Sequence, residues 1–213
     1  MPIPTTNATK ELPAVNQILA SVGQAPVTTL DQTNPDVAIA YDTLLEVNKE
    51  VQGEGWTFNQ EFEYEIITDN NKEYEIPNNV LQIDFSDTYK GDIDVVRRLK
   101  PGDSQAKLYD RYNHTYSLGT VAGDTWEVDI TWLFDWVELP QPIQNYITAK
   151  AATITAQRII GDPVLIQTLQ QREALARANA LEYECNQGDY TIFGHPHGKR
   201  SYTSYKPYTA LQR

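Results

Sequence analysis

Near the start of the chain, apolar residues recur at every third or fourth position. Leu12, Val15, Ile18, Leu19 and Val22 fall on one face of a helix. Gly23 stands where a chain leaves a helix through the left-handed region, and Pro26 blocks any continuation. Asn34-Pro35-Asp36 opens a second helix. Asn caps, Pro suits the first turn, and Asp favours the positive end of the helix dipole. Val37, Tyr41, Leu44, Leu45, Val47 and Val51 extend that helix's apolar face as far as Gly53 and Gly55. The result is a corner between two packed helices. It is no DNA-reading motif, because no basic recognition helix follows.

At Trp56 the period changes to two. Trp56, Phe58, Phe62, Tyr64 and Ile66 alternate with Glu61, Glu63 and Glu65, which places the three glutamates on one strand face. Further extended runs carry Leu81, Ile83 and Phe85, then residues 92–99, then 108–112, and last Trp126, Val128, Ile130 and Trp132. Turn chemistry separates them at Asp69-Asn70-Asn71, Pro77-Asn78-Asn79, Pro101-Gly102-Asp103, Asn113-His114 and Gly123-Asp124. Short strands in hairpin order predict an antiparallel sandwich or open barrel.

Pro140 and Pro142 return the chain to helix, with Ile143, Tyr146, Ile147, Ala151 and Ile154 on one stripe. Gly161-Asp162-Pro163 ends that helix and caps a long fourth one. The apolar face of the fourth is narrow (Leu165, Leu169, Leu175, Leu181, Tyr183), which predicts a half-covered helix that meets a partner on its other side. Neither helix pair has enough core alone, so the two pairs are expected to pack together around an inserted sheet. The predicted class is α+β: a discontinuous helical bundle (1–53 and 140–187), an inserted antiparallel β domain (54–139), and an extended C-terminal arm (188–213).

Composition narrows the function. Hydrophobic residues are 40% of the chain, enough for a packed core. No apolar run is long enough to span a bilayer, and MPIPTTNATK lacks the basic-then-apolar order of a secretory signal. Cys185 is the single thiol, so no internal disulfide forms, which suits assembly in a reducing cytoplasm. The net charge of −12 opposes a DNA clamp, which needs clustered cations. Lys199, Arg200, Lys206 and Arg213 against Asp189 leave residues 186–213 at +3, so the remainder carries −15.

Catalytic signals are thin. The chain contains no glycine-rich phosphate loop, cysteine cluster, nucleophile elbow or metal-binding helix motif, and no catalytic residue, metal or cofactor is assigned. His195-Pro196-His197 has the imidazoles for a divalent metal, but no nearby cysteine or carboxylate completes a set, and a surface pair is the simpler account. Glu61, Glu63 and Glu65 offer a carboxylate pair for glycan hydrolysis; a solvated face that deters edge pairing needs fewer assumptions. Trp56, Trp126 and Trp132 share the apolar phase and are expected in a core rather than on a sugar-stacking platform, while Trp136 is placed for a domain or subunit contact. The C-terminal run lacks any period yet holds Tyr190, Ile192, Phe193, Tyr202, Tyr205 and Tyr208, the side chains that a docking arm needs as anchors.

Several strings together resemble one family. ELPAVNQILASVGQAPVTTLD and VQGEGWTFN near the start, then IQNYITAKAA, RIIGDPVL and ALEYECNQGDYTIF toward the end, are similar to the tail tubular protein A family, the head-to-tail adaptors of autographivirus-type short-tailed phages. The middle of the chain agrees chiefly in its strand-rich character. The resemblance implies a structural virion protein without an active site, assembled in the host cytoplasm. It further implies a homo-oligomeric, twelve-membered ring between the portal and the tubular nozzle (tail tubular protein B). Tail fibres attach around it, and DNA passes through its channel without specific binding. The alternative from the residues is a tail-associated glycan hydrolase or carbohydrate-binding module.

Overall fold

The computed structural model describes residues 8–31, 33–85, 93–119 and 121–188. In chain order these form α1 (Ala8–Ser21), α2 (Pro35–Gly53), β1 (Gln60–Ile67), β2 (Val80–Phe85), β3 (Val95–Leu99), β4 (Ala106–Asp110), β5 (Thr125–Trp132), α3 (Gln141–Ile159) and α4 (Pro163–Gly188). The class is α+β. The chain divides into a helical unit, reaching Phe58 and resuming from Phe134 to Gln187, and a sheet unit that contains Asn59–Leu133.

The helical unit has one main core. Val15, Ile18 and Leu19 of α1, Leu44, Val47 and Val51 of α2, and Ile143, Tyr146 and Ile147 of α3 are all almost fully buried together. Burial of each such side chain contributes roughly 1.5–3 kcal/mol before ordering costs are subtracted. α3 is covered on more than its predicted stripe, for Thr148, Thr153 and Thr155 are buried as well. Thr148 and Thr153 satisfy their hydroxyls within the helix, donating to the carbonyls of Gln144 (2.7 Å) and Ala149 (3.1 Å).

Two tryptophans differ from expectation. Trp56 precedes β1 and lies in the helical core, its indole N–H donating to the Val51 carbonyl at 2.7 Å. Trp136, expected at an outer contact, is also buried in that core. Each indole gains more from the larger apolar cluster than a half-covered strand face offers. The α4 seam differs too. Leu169 and Ala180 are buried and Ala176 packs at the edge, whereas Leu175 and Leu181 point outward with 64% and 45% of their surface exposed. Leu169 and Leu165 therefore keep the expected inward place, while nearer the end of the helix Ala176 and Ala180 face inward and Leu175 and Leu181 do not.

In the sheet unit the strands run β1–β5–β2, all antiparallel, with β3 and β4 paired separately. Only β3–β4 therefore follows the predicted hairpin order, and among the described residues the strands close no barrel. The reason lies in β5. Val128, Ile130 and Trp132 make it the most buried strand, and the central place pairs both of its edges. Ile66, Ile76, Val80, Phe85, Val95, Leu108 and Leu118 complete this unit's buried apolar set.

The first helix ends as its sequence predicts. Gly23 has φ +76°, the Gln24 N–H donates to the Leu19 carbonyl (3.0 Å), and the Gly23 N–H donates to that of Ala20 (3.2 Å). This pair of bonds is the Schellman arrangement. A β-carbon at Gly23 would meet nothing within 4 Å, so a substitution there strains only the backbone. Gly23→Val is expected to cost on the order of 1 kcal/mol or more. Thermal unfolding followed by circular dichroism should show a lowered midpoint for the helical signal.

Candidate functional site

Tyr190, Ile192, Phe193, Tyr202, Tyr205 and Tyr208, together with His195 and His197, lie outside the described residues. Within them, the chemistry-bearing side chains gather in the sheet unit.

The three glutamates of β1 do not share a face. Glu61 pairs with Ile130 and Tyr64 with Val128, so one extra residue is inserted between them as a bulge. Glu63 sits in that bulge at φ +53°, and its N–H, without a ladder partner, donates to Asp129 Oδ1 at 3.0 Å. Because directly paired residues project to the same side, Glu61 lies with Ile130 on the apolar face. Its Oε2 there accepts the Trp132 indole N–H at 2.9 Å. Glu65 pairs with Glu127 on the opposite face. The bulge thus removes the shared face on which a carboxylate pair for glycan cleavage was posited. The other face is acidic, with Glu65 across from Glu127 and Asp84 across from Asp129.

Next to this face is a cleft of about 460 Å³, lined by residues of β1, β2, β3 and β5. Phe62, Leu81, Val95 and Val96 give it apolar walls, and Asp84 and Asp129 of the acidic face bring two carboxylates, while Glu61 borders it with its own carboxylate bonded to Trp132. The cation in its lining is Arg97, whose guanidinium donates to the Val80 carbonyl at 2.9 Å.

A second group of charges holds the unit together. Lys107 is buried on β4 and contacts Glu73 (2.7 Å) and Asp103 (2.8 Å); Lys100 also reaches Glu73 (2.6 Å). Hydrogen bonds from Lys100 and Lys107 hold the Glu73 carboxyl below its ordinary range, and the bond from Lys107 does the same for Asp103. The Lys107 ammonium is pushed up in turn by Asp103 and Glu73. Asp110 is buried, which opposes its charge, yet hydrogen bonds from Asn113 and from the Tyr112 N–H keep its carboxyl low. Sequence reasoning marked Asp103 only as a turn residue and gave none of these five side chains a part in holding the unit together. A lysine within an ordinary strand pattern carries no sign of burial, because its partners come from a preceding loop and turn.

The helical unit contains its own buried acid. Glu11 accepts the Tyr41 hydroxyl at 2.7 Å; burial raises its pKa, the Tyr41 bond opposes that rise, and Asp135 adds to it. Glu184 of α4 accepts the Thr57 backbone N–H (2.9 Å) and hydroxyl, fixing the far end of the helix. Cys185 is exposed. Among the described residues no group of three or more His, Cys, Asp or Glu is placed to hold a metal, and no helix is long and apolar enough to cross a membrane.

A helical unit interrupted by a sheet unit, with an open cleft and polar groups engaged in structural bonds, describes an α+β protein built for contact. The family model of the tail tubular proteins matches residues 12–190, spanning both units, and the chain belongs to that family. It is a structural component of a bacteriophage tail and so of the virion. No curated protein matches the chain.

The lysine-centred network yields a test with a defined sign. Lys107→Met leaves Glu73 and Asp103 without their shared cation, at an expected cost of about 1–3 kcal/mol at neutral pH. Both carboxyls have folded-state pKa values below their unfolded ones, so the stability they supply is present above the unfolded values and lost as pH falls through the folded ones. Denaturant titrations at a series of pH values should therefore show the gap between wild type and variant narrowing below about pH 4.

Proposed function

We propose that this chain is the head-to-tail adaptor of a short-tailed phage. Copies form a closed ring, twelve in number, that sits between the portal at the capsid vertex and the tubular nozzle. The ring contributes to the DNA channel and provides the surroundings to which tail fibres attach. The observation that carries the reading is the family match across residues 12–190, which includes the helical unit, the sheet unit and the join between them. A closed ring requires a heterologous interface, one patch meeting a different patch of the next copy. α4 is suited to such a role, with Val164, Leu175 and Leu181 outward on a helix that buries little of itself.

In this reading the C-terminal segment is the docking arm, anchored by Tyr190, Ile192, Phe193, Tyr202, Tyr205 and Tyr208. Large apolar side chains without a core of their own gain most by burial on a partner. The basic residues Lys199, Arg200 and Lys206 steer the segment toward an acidic neighbour.

Electron microscopy of the purified protein with its portal tests the proposal. A ring stacked coaxially on the portal is the expected image; monomers that ignore the portal refute it. With the six anchors changed to Ser, the protein should stay folded but detach from the portal. Complementation with that variant should yield heads that leak DNA or lack tails, and full infectivity would eliminate the arm's role.

Charge gives a separate expectation. A channel wall for DNA works by not holding it, and the chain's net charge of −12 disfavours phosphate contact. In gel retardation the protein should leave duplex DNA unshifted even at low salt. Tight binding that weakens steeply with salt would contradict this.

A further inference from the structure

We infer that the cleft of the sheet unit is the receptor for residues 199–208 of this chain, KRSYTSYKPY. The inference rests on the docking role proposed above for the C-terminal segment and gives that segment a resting place on its own chain before it meets a partner. The cleft has a selective chemistry. Its carboxylates on the acidic face, Asp84 and Asp129, outnumber its cation, Arg97, whose guanidinium donates to the Val80 carbonyl. Anions are therefore repelled and cations favoured. The walls at Phe62 and Leu81 are apolar, so the preferred side chain has a hydrocarbon or ring body and a polar tip. Lysine, arginine and tyrosine have that form.

The segment supplies these side chains in close succession. Lys199 and Arg200 are followed by Tyr202, Tyr205, Lys206 and Tyr208, with no acidic residue among them. A cleft of about 460 Å³ lies within the ordinary range for sites that enclose a ligand, and has room for more than one such side chain. α4 ends at Gly188. The intervening residues span at most about 36 Å when fully extended. That reach tethers the segment for entry into the cleft of its own copy in the unassembled protein.

The acidic sheet face gives the arrangement a purpose. Like charges directly opposite each other, as in Glu65–Glu127 and Asp84–Asp129, are unfavourable within a sheet. A basic segment entering beside Asp84 and Asp129 offsets that repulsion, whereas the acidic face of another copy is rejected.

Limited trypsin digestion of the full-length protein tests this at Lys199 and Arg200. The variant Asp84→Lys reverses one charge of the cleft at an exposed position, where the native carboxylate accepts the neighbouring Phe85 N–H (2.8 Å). Glu182→Lys makes the same charge change on the exposed side of α4 and serves as control. Cleavage at the two sites should be about fivefold faster in Asp84→Lys than in wild type, and unchanged in Glu182→Lys. Raising the salt concentration should speed cleavage of the wild type toward the Asp84→Lys rate, with a free peptide of the same sequence as the rate standard. This salt comparison on the wild type decides the matter even if the variant fails to fold. Equal cleavage in all three proteins, or wild-type cleavage at the free-peptide rate at low salt, overturns the inference. A ring that still forms on the portal under those conditions leaves the adaptor reading standing, so the two fail separately.

Discussion

The helical core is closed by one side-chain amide. Gln52, fully buried at the end of α2, accepts the Phe134 N–H at 2.8 Å and donates to the Phe134 carbonyl at 3.1 Å. The chain leaves this unit after Phe58 and re-enters it at Phe134. Its re-entry point therefore brings backbone polar groups to a partly buried place outside any helix or strand. Unpaired, each would cost on the order of 1–3 kcal/mol. A primary amide offers both a donor and an acceptor at the spacing of a peptide group, which an apolar residue or a carboxylate does not.

The same solution recurs at the other points where the path bends. Asn16 accepts the Val27 N–H (2.8 Å) and donates to the Val27 carbonyl (2.9 Å), pinning the connection between α1 and α2. Within the sheet unit, the Asn59 side chain donates to the Trp132 carbonyl at 2.8 Å, while the Asn59 carbonyl accepts the Trp132 N–H at 2.8 Å. Asn59 and Trp132 are thus joined just inside the sheet unit, and Gln52 and Phe134 just inside the helical one. Each unit secures its own side of the two crossings. This permits an insertion between helices far apart in sequence without opening either core.

Charged groups in the sheet unit fall into two sets. Lys107, Glu73 and Asp103 are engaged with one another, and Glu61 and Asp129 each accept a bond that shapes the β1 bulge and its surroundings. The paired acids across β5, Glu65 with Glu127 and Asp84 with Asp129, place like charges opposite each other. Such pairs are held at some expense in the isolated chain's stability.

Much of the helical unit was legible in the sequence, because helix period, Gly23 and Asn34-Pro35 are local signals. The Asn34 side chain accepts the Asp36 N–H at 3.1 Å, as the cap predicts. The strand content and the α+β class were legible for the same reason. The bulge at Glu63 was not: period-two alternation assumes an uninterrupted ladder, and the extra residue is stabilised by Asp129 from a strand far along the chain. Nor was the central position of β5, since pairing between strands is a contest decided by burial across the whole sheet. The α4 seam was misjudged at Leu175 and Leu181, because size was taken as the guide to burial, whereas the fully buried residue of that stretch is Ala180. Local sequence signals are enough to mark the helices, the approximate positions of the strands and with them the fold class, though β1 begins at Gln60 rather than at Trp56. Tertiary structure alone decided which carboxylates face the cleft and which lysine is buried, because those outcomes depend on partners that local chemistry does not specify.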